Sequence, residues 1–201
     1  IFVREASGTW WVLAQGGAGI LEGCLASDGS IYLLSRKRSE NGEVLVLPAD
    51  SRCLSDALPF IPPSTHRIGP HRPDRPCIYA LGESLMLVVQ DVGCSRLHAV
   101  SLGGHSVHDP QLPEYSTVTE LAPVQGGLLA HVASDVSSSR WIHLNLETGV
   151  ATETTLTTRP FVAFEGAKVQ RTWAPSKDGT LVPVTLLLPR TYTPGTPHPC
   201  V

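Results

Sequence analysis

The sequence predicts an all-β protein that contains a partial β-propeller of about three to four blades. Short apolar runs are separated by frequent glycine (18 residues) and proline (17 residues), and no window shows the long 3.6-residue stripe of a helix. A segment with the character of a β-hairpin also repeats after 44 residues. Because 42% of the residues are hydrophobic and only 16% are charged, the chain has enough apolar side chains for a sizeable core.

Six apolar runs are the predicted strands. In Ile142–Leu146 and Val182–Leu188 the apolar residues alternate with other residues, which is the period of a half-buried strand. Asn41-Gly42 lies between two runs and predicts a tight hairpin turn, because both residue types tolerate a positive φ. The other four runs are Ile31–Leu34, Val44–Leu47, Leu85–Val89 and Leu128–Val132.

The repeating unit has the pattern of one hairpin. A shift of 44 residues places Gly82 on Gly126 and brings Leu85, Asp91 and Arg96 onto residues of the same type. We therefore predict that residues 82–104 and 126–149 form equivalent hairpins of neighbouring blades, and a looser copy covers residues 28–50. Three to four blades are roughly half of a ring of the usual size, so the end blades keep unpaired edges and exposed apolar faces. We expect residues 1–201 expressed alone to aggregate or to be only marginally folded.

Charge and hydropathy argue against nucleic-acid and membrane partners. The formal net charge is -3, and the largest basic cluster is Arg36-Lys37-Arg38. The longest apolar run, Leu85–Val89, is far too short to span a bilayer, and no signal peptide is present. The first residue is Ile1 rather than Met, and Val201 follows a Pro-rich turn, so both ends look cut.

The cysteines predict free thiols. They are odd in number and widely spaced, without the C-x-x-C pair of a zinc ribbon or a thioredoxin-type motif. Such cysteines are typical of a reducing compartment, and we predict a cytoplasmic protein. The five are Cys24, Cys53, Cys77, Cys94 and Cys200.

Histidines and arginines concentrate in and after a Pro-rich stretch, residues 59–76, which predicts a long loop between blades. Two histidine pairs suggest a metal or anion site, but neither has a third ligand nearby in sequence, and zinc needs three or four. Solvated loop histidines are the preferred interpretation, so we predict no metal and no cofactor. The residues considered are His66 and His71 with Arg67, Arg72 and Arg75, and the pair His105 and His108.

Other candidate sites have simpler structural interpretations. Gly16-Gly17-Ala18-Gly19 is not followed by the Lys-Ser/Thr of a phosphate-binding loop, so it predicts a turn. Asp91 and Asp135 recur at equivalent positions, which indicates turn capping rather than acid–base chemistry. Trp10-Trp11 fits packing between blades better than a carbohydrate-binding face. No base is positioned by sequence beside the remaining candidates, which are Ser7, Ser134 and Ser137–Ser139.

The character of the sequence changes after Phe161. Val169–Trp173 is a predicted strand, and Ser176–Thr180 is a turn in which Gly179 supplies the positive φ. Leu181–Pro189 is a second predicted strand, in which Pro183 suits an edge position. A loop rich in proline and glycine follows, and His198–Val201 begins another element.

This hairpin resembles the entry to the catalytic domain of the prolyl oligopeptidase family of serine peptidases. The matching residues are Ser176–Thr180, Val182-Pro183 and His198-Pro199. Upstream, Leu97–Gly104, followed by Leu112-Pro113, resembles late propeller strands of that family. Ile142–Gly149 resembles a strand and turn of its final blade, with Asn145 where Asp is common. The resemblance covers most of residues 28–201.

The resemblance implies a partial β-propeller over residues 1–165 and the first β-hairpin of an α/β-hydrolase domain over residues 166–201. It also implies a serine oligopeptidase that hydrolyses short peptides, in which the propeller gates access and the catalytic triad lies later in the chain. No G-x-S-x-G elbow occurs here, so we assign no catalytic residue and expect residues 1–201 to hydrolyse no peptide. The partners implied are short peptides and the remainder of the chain. A non-enzymatic β-propeller scaffold that binds proteins, and a hydrolase relative without a triad, stay open as alternatives.

Overall fold

A computed structural model describes residues 1–69, 74–91, 93–105, 107, 109–159, 164 and 166–197. Within these ranges the regular structure is β-strand, apart from short 3₁₀ turns such as Leu54–Asp56. No helix in these ranges is long and apolar enough to cross a membrane. The strands are β1 (Phe2–Arg4), β2 (Trp10–Val12), β3 (Ile20–Leu25), β4 (Ile31–Ser35), β5 (Glu43–Leu47), β6 (Leu58–Ile61), β7 (Arg67–Ile68), β8 (Ile78–Leu81), β9 (Ser84–Asp91), β10 (Cys94–Ser101), β11 (Thr117–Val124), β12 (Gly127–Ala133), β13 (Arg140–Asn145), β14 (Ala151–Thr157), β15 (Lys168–Pro175) and β16 (Leu181–Leu188).

Three antiparallel sheets of four strands form consecutive propeller blades. Blade one has the order β3-β4-β5-β6, and blade three has the order β11-β12-β13-β14. In blade two, β7 and β8 both pair with β9, which in turn pairs with β10. The strands β1 and β2 form a separate two-stranded sheet before blade one. The predicted all-β partial propeller of about three to four blades is therefore confirmed.

The two predicted repeat hairpins occupy the same place in neighbouring blades. β9 and β10 form the hairpin of blade two that corresponds to β12 and β13 in blade three, where β13 also pairs with β14. The alignment at a shift of 44 residues is wrong by one residue in the first strand, because Ser84 and Gly127 open the two strands. A slip of one residue moves a side chain to the other face of the sheet. In the second strand the shift holds, and Arg96 is the counterpart of Arg140.

Two sequence predictions about connections need correction. Asn41-Gly42 does not form a two-residue turn, because β4 and β5 are joined by residues 36–42. Residues 59–76 are not one loop, since they contain part of β6 and all of β7. Pro59 is tolerated in β6 because this strand is the outer edge of blade one, where an amide donor is not needed.

The core lies between the blades. One cluster joins facing sides of blades one, two and three, and its fully buried side chains include Tyr32, Leu87 and Ile142. A second cluster lies between the other side of blade one and the β1-β2 pair, around Leu33 and Leu47. Blade one thus buries residues on both sides of β4, which explains why this strand is buried at all five positions.

The last two strands form the predicted hairpin. All eight residues of β15 pair with β16, from Lys168 opposite Leu188 to Pro175 opposite Leu181. Gly179 has φ +85° in the connecting turn, as predicted. This hairpin leaves large apolar side chains exposed on β16.

Candidate functional site

The connections between strands alternate between two faces of the propeller. On one face, the Asn41 side chain donates a hydrogen bond to the carbonyl oxygen of Ser64 (2.8 Å), which joins the β4–β5 and β6–β7 connections. On the opposite face, the Ser27 hydroxyl donates to the carbonyl oxygen of Gly82 (3.1 Å). The β9–β10 connection belongs to the first face, and it also contacts β15 through Arg171. We call this first face the hairpin face.

Arg171 attaches the β15–β16 hairpin to the propeller. Its Nη2 donates a hydrogen bond to the carbonyl oxygen of Gly93 at 2.7 Å. Its guanidinium carbon lies 5.0 Å from the ring centroid of Tyr115, within cation–π range. Tyr115 has φ +57°, and in the described part of the chain no other non-glycine residue has a positive φ. The neighbouring Glu114 raises the pKa of Tyr115 by a hydrogen bond and by its charge. A strained backbone therefore presents the tyrosine ring to Arg171.

Three charged or polar side chains meet beside this attachment. Arg96 Nε lies 3.2 Å from Asp91 Oδ2, and Arg96 Nη2 lies 3.0 Å from His66 Nε2. Because a guanidinium can only donate hydrogen bonds, His66 Nε2 must be the acceptor, which assigns the proton of a neutral ring to Nδ1. His66 Nε2 is also 3.9 Å from Asp91 Oδ1. These three side chains link the segment before β7, at the start of blade two, to the β9–β10 hairpin of the same blade.

At the outer edge of blade two, the side chain of Asp109 accepts a hydrogen bond from the backbone of β10. Asp109 Oδ1 accepts a hydrogen bond from the backbone amide of Ala99 at 3.0 Å and lies 2.9 Å from His98 Nδ1. The amide of Val107 donates to the carbonyl oxygen of Ala99 at 3.0 Å. The Asp109 carboxylate therefore takes the place of a backbone acceptor for the amide of Ala99.

Two clefts open on the hairpin face. One has a volume of about 570 Å³ and lies between β10, the connection to β11 and β15. The other has a volume of about 330 Å³ and lies between blades one and two, beside His66 and His98. Arg96 and Asp109 line both clefts. Clefts of this size between two parts of a protein are common sites of ligand binding.

On the inner side of the blades, Glu22 joins blade one to blade two. Its carboxylate accepts hydrogen bonds from the amides of Cys77 (2.9 Å) and Ile78 (3.0 Å) and from the Cys77 thiol (3.1 Å). Burial, and then the charge of Glu22, raises the pKa of Cys24 to about 12 and that of Tyr79 to about 12. The same two causes raise the pKa of the Cys77 thiol above its ordinary value. These thiols are neutral and unreactive near pH 7, which indicates a structural role.

Among the described residues, the histidines singled out from the sequence belong to no group of three His, Cys, Asp or Glu side chains that could hold a metal ion. His66 pairs with Arg96 and Asp91, and Arg75 donates to Glu120 at 3.2 Å. Arg67 lies in β7 opposite Gln90, and the amide of His105 donates to the Ser101 hydroxyl. His71, Arg72 and His108 lie outside the described residues.

The repeated aspartates have different surroundings. Asp91 forms an ion pair with Arg96. In blade three, the amides of Val136 and Ser137 donate to the hydroxyl of Ser134, so this serine caps the turn beside Asp135. The one-residue slip in the first strand explains the difference, because Ser134 rather than Asp135 stands at the position of Asp91. Arg140, the counterpart of Arg96, pairs with Glu153 of β14 instead.

The remaining sequence candidates lie in structural environments. Gly17 and Gly19 have positive φ in the turn before β3, as the turn prediction requires. Trp11 packs in the core between β1-β2 and blade one. Trp10 is exposed, and the guanidinium group of Arg4 lies over its ring. The serines bond to other hydroxyls, to a carboxylate or to backbone atoms: Ser7 with Glu5 and Thr9, Ser134 with Ser137, Ser138 with the carbonyl of Arg159, and Ser139 with Thr158.

Three interactions could not be predicted from the sequence, because the partners of each lie on different strands or connections. Glu22 and Cys77 are 55 residues apart, and Gly93 and Arg171 are 78 residues apart. The Thr119 hydroxyl lies 2.6 Å from His131 Nδ1 across neighbouring strands of blade three. Glu22 lies in an otherwise apolar strand, and this was the one signal of such a contact in the sequence, since a half-buried carboxylate requires hydrogen-bond donors.

Comparison with known proteins identifies the fold. No family model and no curated protein matches the sequence. Among solved structures, one from a study of two prolyl endopeptidases has a TM-score of 0.74 at 18% identity and covers 94% of this chain. Oligopeptidase B from Leishmania major has a TM-score of 0.72 at 14% identity over 98% of the chain. Prolyl oligopeptidase B from Galerina marginata has a TM-score of 0.72 at 12% identity over 96% of the chain.

The likeness extends over nearly the whole of this chain but over a small part of the solved structures. The chain spans 27%, 29% and 28% of the lengths of these three proteins. At such low identities the similarity establishes a shared fold of blades followed by a hairpin.

Proposed function

We propose that the chain is the propeller portion and first catalytic-domain hairpin of a serine oligopeptidase similar to prolyl oligopeptidase. In this proposal residues 1–165 belong to the propeller, and residues 166–201 begin the α/β-hydrolase domain. The propeller limits access to the active site, so the whole protein hydrolyses short peptides by acyl transfer at a Ser-His-Asp triad outside these residues. The free thiols Cys24, Cys53, Cys77 and Cys94 fit a cytoplasmic location.

The observation that carries the proposal is the order and attachment of the modules. Three blades precede one hairpin, and the prolyl endopeptidase and oligopeptidase B structures match 94% and 98% of this chain. Arg171 holds the hairpin against one face of the propeller. A hydrolase domain that continues from β16 would therefore lie over the hairpin face, where a propeller can restrict access.

The exposed surface of β16 supports the same proposal. Leu181, Val182, Leu186 and Leu187 are 59%, 45%, 38% and 46% exposed. A strand that is apolar on both sides is typical of the interior of an α/β sheet covered by helices. The proposed hydrolase domain supplies that covering.

Labelling with a fluorophosphonate tests the proposal, because this reagent modifies an activated serine nucleophile. The full-length protein should be labelled at one serine beyond residue 201 and should hydrolyse short peptides. Residues 1–201 alone should show neither property. A full-length protein without a labelled serine would favour a non-enzymatic scaffold or a relative that has lost its triad, and labelling within residues 1–201 would refute the division of roles.

A further inference from the structure

The outer edges of the three blades differ in how far they are closed to a further strand. β6 of blade one has four residues and contains Pro59, which has no amide hydrogen to donate. In blade two, the Ala99 carbonyl oxygen accepts from the amide of Val107, and the Ala99 amide donates to the Asp109 carboxylate. β14 of blade three has seven residues and no proline, and in the part of the chain that the structure describes no strand lies beyond it. The edge of β14 is therefore the open one.

The hydrogen bonds at the two ends of β14 show which backbone groups face this edge. The Val150 carbonyl oxygen accepts from the amide of Asn145, and the Thr158 amide donates to the carbonyl oxygen of Ser139, both at 3.0 Å. Even-numbered residues at both ends thus point their backbone groups toward β13. Because this direction alternates along a strand, the odd-numbered residues point theirs outward. These residues are Ala151, Glu153, Thr155 and Thr157.

The side chains of β14 leave the edge accessible. Six of its seven residues are exposed, and Leu156 is 57% exposed. Glu153 is the one charged residue of the strand, and its carboxylate lies 3.1 Å from Arg140. Lysine and proline, which commonly protect an edge strand from pairing, do not occur in it. The strand therefore has the backbone groups and the accessibility that pairing with another strand requires.

We propose that two copies of the chain pair along β14 in antiparallel orientation, about a two-fold axis at Thr154. This register joins all seven residues of each strand and places Glu153 opposite Thr155 of the second copy, so that outward-pointing groups face each other. A register centred on Glu153 would place two carboxylates directly opposite each other, which is unfavourable. A register centred on Thr155 would leave two residues of each strand unpaired. The pairing turns two four-stranded blades into one sheet of eight strands.

The same register covers the exposed leucine. Leu156 lies opposite Thr152 of the second copy, where its side chain packs against the threonine methyl group. One strand from each copy makes a small interface, so we expect a dimer that dissociates on dilution. Propeller blades pack through their faces, so a further blade leaves this outer edge free. The pairing involves blade three alone and does not depend on the proposed peptidase activity.

Sedimentation velocity of the full-length protein over a range of concentrations tests the proposal. The wild type should change from monomer to dimer as the concentration rises. Thr155→Glu places a carboxylate opposite Glu153 at two symmetric positions of the dimer, and it should weaken dimerisation about tenfold. Combining Thr155→Glu with Glu153→Lys should restore the dimer, because opposite charges then face each other at both positions.

Two further variants separate pairing at β14 from other causes. Leu58→Glu is the matched control, because it adds the same charge to the exposed outer strand of blade one, and it should leave dimerisation unchanged. Thr155→Lys places a positive charge opposite Glu153 and should strengthen dimerisation, a result that unfolding cannot produce. A wild type that stays monomeric at every concentration, equal weakening by Leu58→Glu, or failure of Glu153→Lys to restore the dimer would each overturn the proposal.

Discussion

Two apolar strands of equal length, β9 in blade two and β16 in the final hairpin, have opposite surroundings. Leu85, Met86, Leu87 and Val88 of β9 are at most 2% exposed. Apolar residues of β16 are exposed by 38% or more at four positions. β9 has strands on both sides and a blade against each face, whereas β16 pairs with β15 alone. The propeller therefore contains its own core, and the hairpin requires a further layer.

The largest expected effect compares the same substitution in the two strands. Leu87→Ala removes a fully buried side chain between blades and should cost about 2–5 kcal/mol. Leu187→Ala removes a side chain that is 46% exposed, so within residues 1–201 it should cost less than about 1 kcal/mol. Resistance to proteolysis in increasing urea measures both. Equal losses of stability would break the comparison.

The sequence carries enough information for the strands but not for their surroundings. Both β9 and β16 have the sequence pattern of apolar strands. The sequence also predicts the hairpin turn at Ser176–Thr180, where the structure has it. Whether a strand is covered depends on layers that come from elsewhere in the chain, which periodicity does not report. The register of the repeat failed for a local reason, because the β9–β10 and β12–β13 connections differ in length.

A second prediction concerns the contact that Glu22 makes between blades one and two. Glu22→Gln keeps the size of the side chain but replaces one acceptor oxygen with a donor that faces the amides of Cys77 and Ile78. We expect a loss of about 2 kcal/mol in the free energy of unfolding, measured by urea denaturation of the full-length protein. Glu120→Gln, which affects one partly exposed contact with Arg75, should cost less than about 1 kcal/mol. Similar costs for both variants would contradict a special role for Glu22.

A third prediction addresses the attachment between the two regions. Arg171→Lys removes the planar group that lies over Tyr115 and weakens the hydrogen bond to the Gly93 carbonyl. We expect a cost of about 1 kcal/mol and faster hydrogen exchange in β15, while exchange in β9 stays the same. Arg190→Lys, in an exposed position, is the control and should change neither. Faster exchange in both strands would indicate general destabilisation instead.

The smallest expected effect is a difference in the reactivity of the cysteine thiols, which depends on their burial within the blades. Cys53 is exposed and should react with a thiol reagent at pH 8, whereas Cys24 and Cys77 should react only after unfolding. Mass spectrometry of the modified peptides identifies each site. Because folding raises the pKa of Cys24 from 9.0 to about 12, its contribution to stability is complete below pH 9.0 and is lost as the pH rises towards 12. Modification of Cys77 at the rate of Cys53 would contradict its burial.

The candidate site shows a similar division between what the sequence predicts and what only the fold reveals. The sequence correctly indicated that Gly16-Gly17-Ala18-Gly19 is a turn, because the phosphate-binding pattern is incomplete there. It did not indicate the cleft beside Ser95, because its walls come from β10, the connection before β11, and β15. A serine in a strand has no distinguishing pattern until its neighbours are known.

Hydrogen exchange in β16 tests the central claim most directly, since that claim is that the rest of a hydrolase domain covers this hairpin. The informative amides are those of Leu181–Leu188 that point away from β15. In residues 1–201 they should exchange faster than the amides of β9. In the full-length protein we expect β16 to be protected to a degree comparable with β9. Equally rapid exchange of β16 in both proteins would contradict the account.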